Sequence, residues 1–361
     1  MNKKPAFTTI CSLFFLVMIL SNTATANESM LMEAPIIIDG QTFRTPYIMR
    51  DGHLLVPAIF VKNTGAYVDK NEAFHSIVFS RGETKFAIPI GKNYSDDFDR
   101  LTGNWIRKPL ATSSIEFQGV PFIPLIDVVK KLGMNVQYDA NLGRTFITTN
   151  FHIKSNVVRK ANTKEKLVAL TFDDGPEDYY TPQIIDVLKQ KNAPATFFVV
   201  GRQVQLFPEV MKQIVKEGHG IGNHTWNHPD LRKEWSGKVK EEIRMTQDEM
   251  EGVVGRRPHL FRPPFGAITK SDMRLLNDLG MKNMHWSVDT LDWSGLSADE
   301  ILEIVHRDVS PGGIILQHNF QSNVRMLDGT VEALPRIIDE LRAKGYTFVT
   351  LQTLLDMEQE E

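Results

Sequence analysis

From residue 167 onward, apolar runs with strand character alternate with stretches in which apolar residues recur at helical spacing. The strand-like runs are 168–172, 195–200, 220–223, 259–262, 283–288, 314–317 and 347–351. The helical stretches are 181–191, 208–217, 238–254, 271–279, 297–309 and 331–344. Regular alternation of this kind is typical of α/β proteins with parallel strands. It predicts a distorted (β/α) barrel over residues 167–361.

The pattern before residue 150 is different, because short β-type segments are separated there by Asp-Gly turns. One arrangement occurs twice, first from His53 and again from Val120: a strand ending in proline, a short helix, a glycine and two further strands. This predicts a small β-rich α+β domain over residues 34–150. Residues 151–166 are polar, lysine-rich and without periodicity, which predicts a linker.

The first 26 residues have the composition of a secretory signal peptide. Lys3 and Lys4 precede an apolar run at 10–20, and Ala-Thr-Ala at 24–26 supplies a small-x-small cleavage pattern. The run is shorter than the ~20 residues that span a bilayer, although an uncleaved N-terminal anchor stays an alternative. No later stretch is a candidate membrane span. We therefore expect a bacterial protein that is secreted or associated with the cell wall.

Composition narrows the class of protein further. The chain of 361 residues is 42% hydrophobic and 24% charged, as ordinary globular proteins are, and its length fits two domains. The only cysteine, Cys11, lies inside the apolar run, so we expect no disulfide in the mature chain. The net charge of −3 and the lack of a basic stripe argue against nucleic-acid binding.

Five polar clusters follow predicted strands directly. They are TFDDGP from residue 171, HTWNH from 224, RPPFG from 262, DTLDW from 289 and LQHN from 316. In β/α barrels the carboxyl ends of the strands meet on one face, where active sites are built. The sequence therefore predicts that the clusters meet there.

Taken one at a time, the clusters leave alternatives open. Asp173 and Asp174 could be solvated carboxylates of an ordinary turn. His224 and His228, four positions apart, share one face of a helical turn and could bind one metal ion, but no glutamate follows the first histidine as in HExxH. Arg262 would hold a neighbouring buried carboxylate ionised, or it could belong to a plain turn.

As a set, in this order and at this spacing, the five motifs resemble the NodB-type polysaccharide deacetylases of carbohydrate esterase family 4. The resemblance covers about residues 166–355. It implies a distorted β/α barrel and one divalent metal ion, usually zinc, with cobalt as the alternative. It also implies that Asp174, His224 and His228 are the metal ligands.

The resemblance implies roles in acid–base catalysis for four further residues. Asp173 would be the catalytic base, and Arg262 would hold it in place. His318 would be the general acid that protonates the leaving nitrogen. Asp289 would orient that histidine.

Three residues would contact the acetyl group, again by resemblance. Trp293 and Leu316 would line the small apolar pocket for its methyl group, and the backbone N–H of Phe265 would help to hold the oxyanion. Two positions depart from the family pattern. Many relatives have tyrosine at 265, which is immaterial if only the main chain acts there. Many have aspartate where Asn319 stands, which could alter the orientation of His318.

The expected activity is removal of N-acetyl groups from N-acetylglucosamine in a cell-wall polysaccharide, with peptidoglycan favoured. Chitin oligomers, an exopolysaccharide, O-acetylated xylan as the substrate of an esterase, and a non-catalytic wall-binding role are the alternatives. The duplicated pattern at 34–150 resembles the copper amine oxidase-like N-terminal domain, without a Cys or His cluster for copper. That resemblance implies a stalk or wall-binding module, and a packing domain without a ligand is the alternative.

Overall fold

The computed structural model describes residues 31–322 and 325–357. The signal peptide predicted at 1–26 lies outside the described residues, so it stays a prediction. Within the described ranges, no helix combines the length and apolar character that crossing a membrane requires.

The β-rich region, residues 33–148, is built from short strands in three sheets. Its strands are β1 Glu33–Ile38, β2 Gln41–Pro46, β3 Ile48–Arg50, β4 His53–Pro57, β5 Tyr67–Asn71, β6 Ser76–Arg81, β7 Thr84–Pro89, β8 Tyr94–Asp99, β9 Asn104–Pro109, β10 Ile115–Phe117, β11 Val120–Pro124, β12 Asn135–Asp139 and β13 Arg144–Thr148. The strand orders are β12-β13-β1-β2, β10-β11-β4-β3 and β5-β6-β7-β8-β9. A shared core that includes Val56, Phe79 and Ile123 holds them together.

The predicted duplication is confirmed as a structural repeat. In the first copy, β4 leads into a 3-10 helix at Ala58–Thr64 and then into β5 and β6; in the second, β11 leads into α1 Leu125–Lys131 and then into β12 and β13. Gly65 and Gly133 follow the two helices with φ of 88° and 72°, a left-handed conformation that glycine adopts without a steric penalty. The resemblance to a copper amine oxidase-like domain stays a prediction.

The barrel region, residues 157–356, contains one sheet of nine parallel strands in the described chain, curled into a half-barrel. Its strands are β14 Val157–Val158, β15 Leu167–Asp173, β16 Ala195–Val199, β17 Gly220–Asn223, β18 Leu260–Phe261, β19 Lys282–Met284, β20 Val288–Asp289, β21 Gly313–His318 and β22 Thr347–Phe348. Their order is β14-β19-β18-β17-β16-β15-β21-β20, and β22 pairs with β15. Every residue of β15 is buried, as expected for a central strand covered on both faces.

Helices of the barrel region pack their apolar faces against this sheet. They are α2 Tyr180–Gln190, α3 Gly201–Leu206, α4 Pro208–Lys216, α5 Ser236–Val254, α6 Lys270–Asp278, α7 Ala298–Asp308, α8 Asp328–Ala343 and α9 Leu351–Asp356. Their buried positions, such as Ile184, Ile301 and Ile337, recur at helical spacing and join the core of the sheet. The α/β fold with a distorted barrel is therefore as predicted.

Three details differ from the predicted elements. The strand expected at 283–288 is two strands, β19 and β20, and the strand expected at 347–351 is β22 followed by α9. The linker predicted at 151–166 contributes β14, which pairs in parallel with β19. A strand of two residues has no periodicity that a sequence pattern could reveal.

The β-rich region and the barrel region belong to one compact unit from Met32 onward. Lys62 of the β-rich region is fully buried, and its ammonium donates to the carbonyl oxygens of Leu231 (2.8 Å) and Glu234 (2.6 Å). The same ammonium lies 2.8 Å from a carboxylate oxygen of Asp272 on α6. A second contact joins the regions where an Asp69 oxygen accepts from the N–H of Gly237, at the start of α5 (2.6 Å).

Candidate metal centre and active-site cavity

The five polar clusters meet at one edge of the barrel sheet, as predicted. Parallel strands end at the same edge, and Asp173, Asp289 and His318 are the last residues of β15, β20 and β21. Asp289 and His318 line a cavity of about 810 Å³, together with Asp174, His224 and His228. The C-terminal edge is therefore the candidate active site.

Asp174, His224 and His228 come together as a group whose ligand atoms all lie within 4.8 Å of one another. Asp174 Oδ1 is 3.3 Å from His224 Nε2 and 3.2 Å from His228 Nε2. Ligand atoms held about 2.0–2.1 Å from a tetrahedral zinc ion are about 3.3 Å apart. Asp174 Oδ1 is buried and has no hydrogen-bond partner within the described ranges. The three side chains thus fit a divalent metal ion.

The orientation of His224 also suits a ligand. Its Nδ1 lies 2.7 Å from the carbonyl oxygen of Arg262, which can only accept, so Nδ1 carries the hydrogen. The lone pair of neutral His224 is then on Nε2, the atom that faces Asp174. A backbone or carboxylate partner of this kind fixes the ring of most metal-binding histidines.

Two of the three candidate ligands have backbones in the left-handed region, with φ of 82° at Asp174 and 59° at His228. Phe265, whose ring packs edge-on against His228 at 4.7 Å between centroids, has φ of 58°. Such conformations are uncommon in residues other than glycine and persist where surrounding contacts enforce them. Their clustering at this edge marks a locally constrained site.

Glu242 on α5 holds the loop that carries both histidines, although no sequence motif predicts this role. One carboxylate oxygen accepts from the backbone N–H groups of Trp226 (3.0 Å) and Asn227 (2.7 Å), and the other accepts from the Asn227 side chain (3.0 Å). Glu242 is buried, and these three hydrogen bonds stabilise its negative charge. A single glutamate on an amphipathic helix gives no sequence signal of a contact 15 residues away.

Asp173 and Arg262 form a buried ion pair, as predicted. Arg262 Nη1 donates to Asp173 Oδ1 at 2.7 Å and to Thr171 Oγ1 at 2.9 Å. Arg262 Nη2 donates to the carbonyl of His285 at 3.0 Å, so the guanidinium is held from several sides. The other oxygen of Asp173, Oδ2, lies 3.8 Å from His224 Nε2, facing the candidate metal ligands.

The partner predicted for His318 is wrong. His318 Nδ1 lies 2.7 Å from Asp292 Oδ1, and its backbone N–H donates to Asp292 Oδ2 at 2.8 Å. Asp289 instead accepts from the N–H of Leu291 (3.0 Å) and lines the cavity. Leu291 has φ of 54° and begins a 3-10 turn that brings Asp292 inward. Both aspartates lie in the DTLDW motif, and spacing alone cannot tell which one turns toward His318.

Electrostatics at the edge favour a protonated His318 and an ionised Asp174. Burial acts to lower the pKa of His318, but the charge and hydrogen bond of Asp292 outweigh it and raise the pKa to about 9. Burial acts to raise the pKa of Asp174, but the nearby His224 and His228 imidazoles and the charge of His318 hold it well below its usual range. The C-terminal edge of the sheet therefore carries both a cationic His318 and an anionic Asp174.

The residues predicted to contact the acetyl group all line the cavity. Phe265 and Trp293 are exposed at its surface, while Leu316 is buried. Among the hydrogen bonds of the described chain, none joins Asn319 to the His318 ring. Asn319 accepts from the N–H of Gly175 (3.1 Å), and its own N–H donates to the Asp173 carbonyl (3.0 Å), so it holds the turn that carries the aspartate pair.

The fold and site define the class of protein: a parallel half-barrel with a candidate two-histidine, one-aspartate metal centre beside a buried aspartate–arginine pair and a cationic histidine. Residues 160–284 match the family model for polysaccharide deacetylases. A peptidoglycan N-acetylglucosamine deacetylase of Bacillus cereus is 42% identical over 193 residues, which are 54% of this chain and 70% of that relative. The chain belongs to the polysaccharide deacetylase family, and it is a deacetylase.

Other relatives show the range of the family. A peptidoglycan N-acetylglucosamine deacetylase of Listeria monocytogenes is 36% identical over 202 residues, 56% of this chain and 41% of its own length. A peptidoglycan N-acetylmuramic acid deacetylase of Bacillus subtilis is 34% identical over 202 residues, 54% of this chain and 73% of its own. A crystal structure of a peptidoglycan N-acetylglucosamine deacetylase with an N-hydroxybenzamide matches with a TM-score of 0.55 at 39% identity, covering 58% of this chain and 96% of that one.

Proposed function

We propose that this chain is a metal-dependent hydrolase that removes N-acetyl groups from N-acetylglucosamine residues of peptidoglycan. The observation that carries the proposal is the meeting of Asp174, His224 and His228 within 4.8 Å, beside the Asp173–Arg262 pair. Support for the substrate comes from the Bacillus cereus relative, which is named for that sugar. The muramic acid enzyme of Bacillus subtilis makes the neighbouring sugar the main alternative.

The metal would be held by Asp174 Oδ1 and by the Nε2 atoms of His224 and His228, with zinc favoured and cobalt as the alternative. Two neutral imidazoles and one carboxylate suit either ion and leave coordination positions open. A bound divalent ion supplies Lewis acidity, which activates water and polarises the acetyl carbonyl. The N-hydroxybenzamide bound by the related crystal structure carries a metal-chelating group, which agrees with this assignment.

Asp173 is the proposed base. Arg262 ties down Oδ1 at 2.7 Å, which leaves Oδ2 free to accept the proton of the attacking water. The buried guanidinium fixes the direction of the carboxylate. Rotation of the Asp173 side chain would break the ion pair between Oδ1 and Arg262. Oδ2 therefore keeps its direction toward the candidate metal ligands.

Attack on the amide carbon places negative charge on the acetyl oxygen, and the N–H of Phe265 is proposed to donate to that oxygen. One donor of this kind contributes about 2.7–4 kcal/mol in comparable sites. His318 then donates the proton from its free ring nitrogen to the departing sugar nitrogen, since its Nδ1 is engaged by Asp292. The acetyl methyl group would rest against Trp293 and Leu316.

Export is part of the proposal, because peptidoglycan lies outside the cytoplasmic membrane. Its support is the sequence pattern at 1–26, with two lysines before an apolar run and a small-x-small pattern. We infer that the mature protein is secreted or associated with the bacterial cell wall. Fractionation of cells with an antibody to the barrel region tests the location, and N-terminal sequencing of the exported protein tests cleavage.

The activity is tested by measuring acetate released from purified peptidoglycan, chitin oligomers and O-acetylated xylan. We expect release from peptidoglycan, loss of release with a chelator, and recovery on adding Zn²⁺ or Co²⁺. Mass spectrometry of the digested product should show a loss of about 42 daltons for each acetyl group removed. We expect this loss on glucosamine and not on muramic acid. Release from xylan alone would favour an O-acetyl esterase, and no release from any substrate would favour a wall-binding role.

A further inference from the structure

A second cavity, of about 860 Å³, lies between the β-rich region and the barrel region; we call it the interface cavity. Residues of both regions and of the segment between them line it, among them Asp39, Phe151, Arg159, Lys270 and His285. It is about as large as the active-site cavity, and both polar and apolar side chains line it. No step of the proposed reaction uses it.

Adjacent residues at 265–266 and 285–286 form a wall between the two cavities. Phe265 and Trp286 line the active-site cavity, while their chain neighbours Gly266 and His285 line the interface cavity. The rings of His285 and Trp286 stack at 5.7 Å between centroids. A polymer that occupies the active-site cavity therefore runs close to the interface cavity.

Arg159 and His285 are neighbours in the lining of the interface cavity. Arg159 has no acidic partner in the described part of the chain, and its Nη1 lies 3.5 Å from His285 Nδ1. A guanidinium only donates, so Nδ1 accepts and Nε2 of His285 carries the hydrogen. That Nε2 is buried and has no partner among the described residues. Burial, together with Arg159 and Arg262, lowers the pKa of His285 to about 4, so the ring is neutral.

The one carboxylate that lines the cavity does not balance Arg159. Asp39 accepts from the backbone N–H and hydroxyl of Thr149, at 2.9 and 2.7 Å, and from the ammonium of Lys270 at 2.8 Å. Its charge is thus neutralised by Lys270. Arg159 is exposed and lines the cavity, and a ligand rich in negative acceptors would satisfy its remaining donors.

We propose that the interface cavity binds an oxyanion through Arg159, and that this oxyanion is a carboxylate borne by the wall polymer. The polymer as the source rests on the proposed function, whereas the oxyanion chemistry does not. The lactyl groups on alternate sugars of peptidoglycan carry free carboxylates wherever the stem peptide is absent, so a peptide-free strand that places one sugar at the metal centre carries carboxylates along its length. Inorganic phosphate offers the same chemistry from a free source.

The polymer source is tested by comparing kcat/KM for acetate release from peptide-free glycan strands, which carry carboxylates, and from uncharged chitin oligomers of equal length. Arg159→Gln should lose about tenfold on the charged strands, through KM, and nothing on chitin oligomers. Arg307→Gln is the matched control, because Arg307 is an exposed arginine paired with Asp308. The proposal is overturned if Arg159→Gln keeps the wild-type ratio of kcat/KM between the two substrates, either without loss or with an equal loss on both.

Calorimetric titration with inorganic phosphate, with the metal removed by chelator, tests the oxyanion site without turnover. Binding by the wild-type chain that disappears in Arg159→Gln and persists in Arg307→Gln supports the site even if no acetate is released from any substrate. Phosphate binding with unchanged substrate discrimination rejects the polymer as the source. Absence of phosphate binding together with unchanged discrimination rejects the site itself.

Discussion

Asp292 holds His318 by two bonds, one from each carboxylate oxygen: Oδ1 lies 2.7 Å from the ring Nδ1, and Oδ2 accepts from the backbone N–H at 2.8 Å. Thr330 donates a third bond to Oδ2 at 2.9 Å, which fixes the carboxylate itself. The ring is therefore set in orientation and tautomer before substrate arrives. The same contact supplies the charge that opposes the effect of burial on the pKa of His318.

Asp292→Asn should move the basic limb of the activity profile to lower pH. His318 must be protonated to act as an acid, and its pKa of about 9 depends on the Asp292 charge. Asparagine keeps an acceptor for the ring but removes the charge, so burial then lowers the pKa. We expect the limb in the kcat/KM profile to move down by about one to three pH units.

Asp289→Asn is the matched control for that variant, because Asp289 lies three residues earlier in the same motif and makes no hydrogen bond to His318 in the described chain. It should leave the position of the basic limb unchanged. If the basic limb moved in Asp289→Asn and stayed in place in Asp292→Asn, Asp289 would be the partner of His318, as the sequence suggested. A bound dication lowers the pKa of His318 in all variants alike, so the comparison between them is unaffected.

The succession of strands and helices along the barrel region, and the edge of the sheet that carries the candidate site, could be predicted from the sequence. Apolar runs such as 168–172 mark buried strands, and polar clusters directly after such strands must share an edge when the strands are parallel. The direction of each side chain could not be predicted. Asp292 reaches His318 only because Leu291 adopts a left-handed backbone, and nothing in the pattern of DTLDW indicates that turn.

Asp173→Asn should retain the metal and lose activity by about 100-fold or more, the contribution of a positioned general base. Asparagine preserves the volume beside Arg262, but it cannot take the proton of water. Metal content by atomic spectroscopy, Tm and acetate release are the measurements. Asp174→Asn should instead lose metal affinity, and an Asp173→Asn protein that is fully active or metal-free would contradict the separation of roles between these neighbours.

Glu242→Ala should weaken metal binding about 10- to 100-fold, as loss of a partner that orients ligands does. The change leaves the N–H groups of Trp226 and Asn227 without their carboxylate, and the loop carries His228 one residue further on. Competition with a chromogenic chelator measures the affinity. Glu242→Gln should stay within a few-fold of wild type, because the amide oxygen can accept both backbone bonds and its nitrogen can meet a flipped Asn227. Equal metal affinity in the wild-type chain, Glu242→Ala and Glu242→Gln would show that Glu242 does not support the metal ligands.

Contacts between distant segments account for the other features that sequence patterns did not predict. The linker was expected to separate two domains, yet its Val157–Val158 strand joins the sheet of the barrel region. Lys62 lies in a short helix of the β-rich region, where a lysine is ordinarily solvated. Its acceptors Leu231 and Glu234 are about 170 residues away in the sequence, at separations of 169 and 172. No local pattern encodes such a partner.

Lys62→Met should lower the free energy of unfolding by about 3–5 kcal/mol, the cost of breaking a buried ion pair by removing one partner. It leaves the Asp272 oxygen and the carbonyls of Leu231 and Glu234 buried without their donor. Urea unfolding measures the change, with Lys70→Met as control. Lys70 pairs with the exposed Glu72 in the same region, and its loss should cost under about 1 kcal/mol.

A double-variant cycle with Asp272→Asn shows whether that loss comes from the ion pair between the two regions. Asp272→Asn removes the carboxylate charge that Lys62→Met leaves buried without a partner. It should therefore lower the free energy of unfolding less in the Lys62→Met background than in the wild-type chain. The two regions should also unfold in a single transition, because Lys62 and Asp272 bind them into one body. Equal costs in both backgrounds, or separate transitions in the wild type, would show that the β-rich region is the detachable module that the sequence suggested.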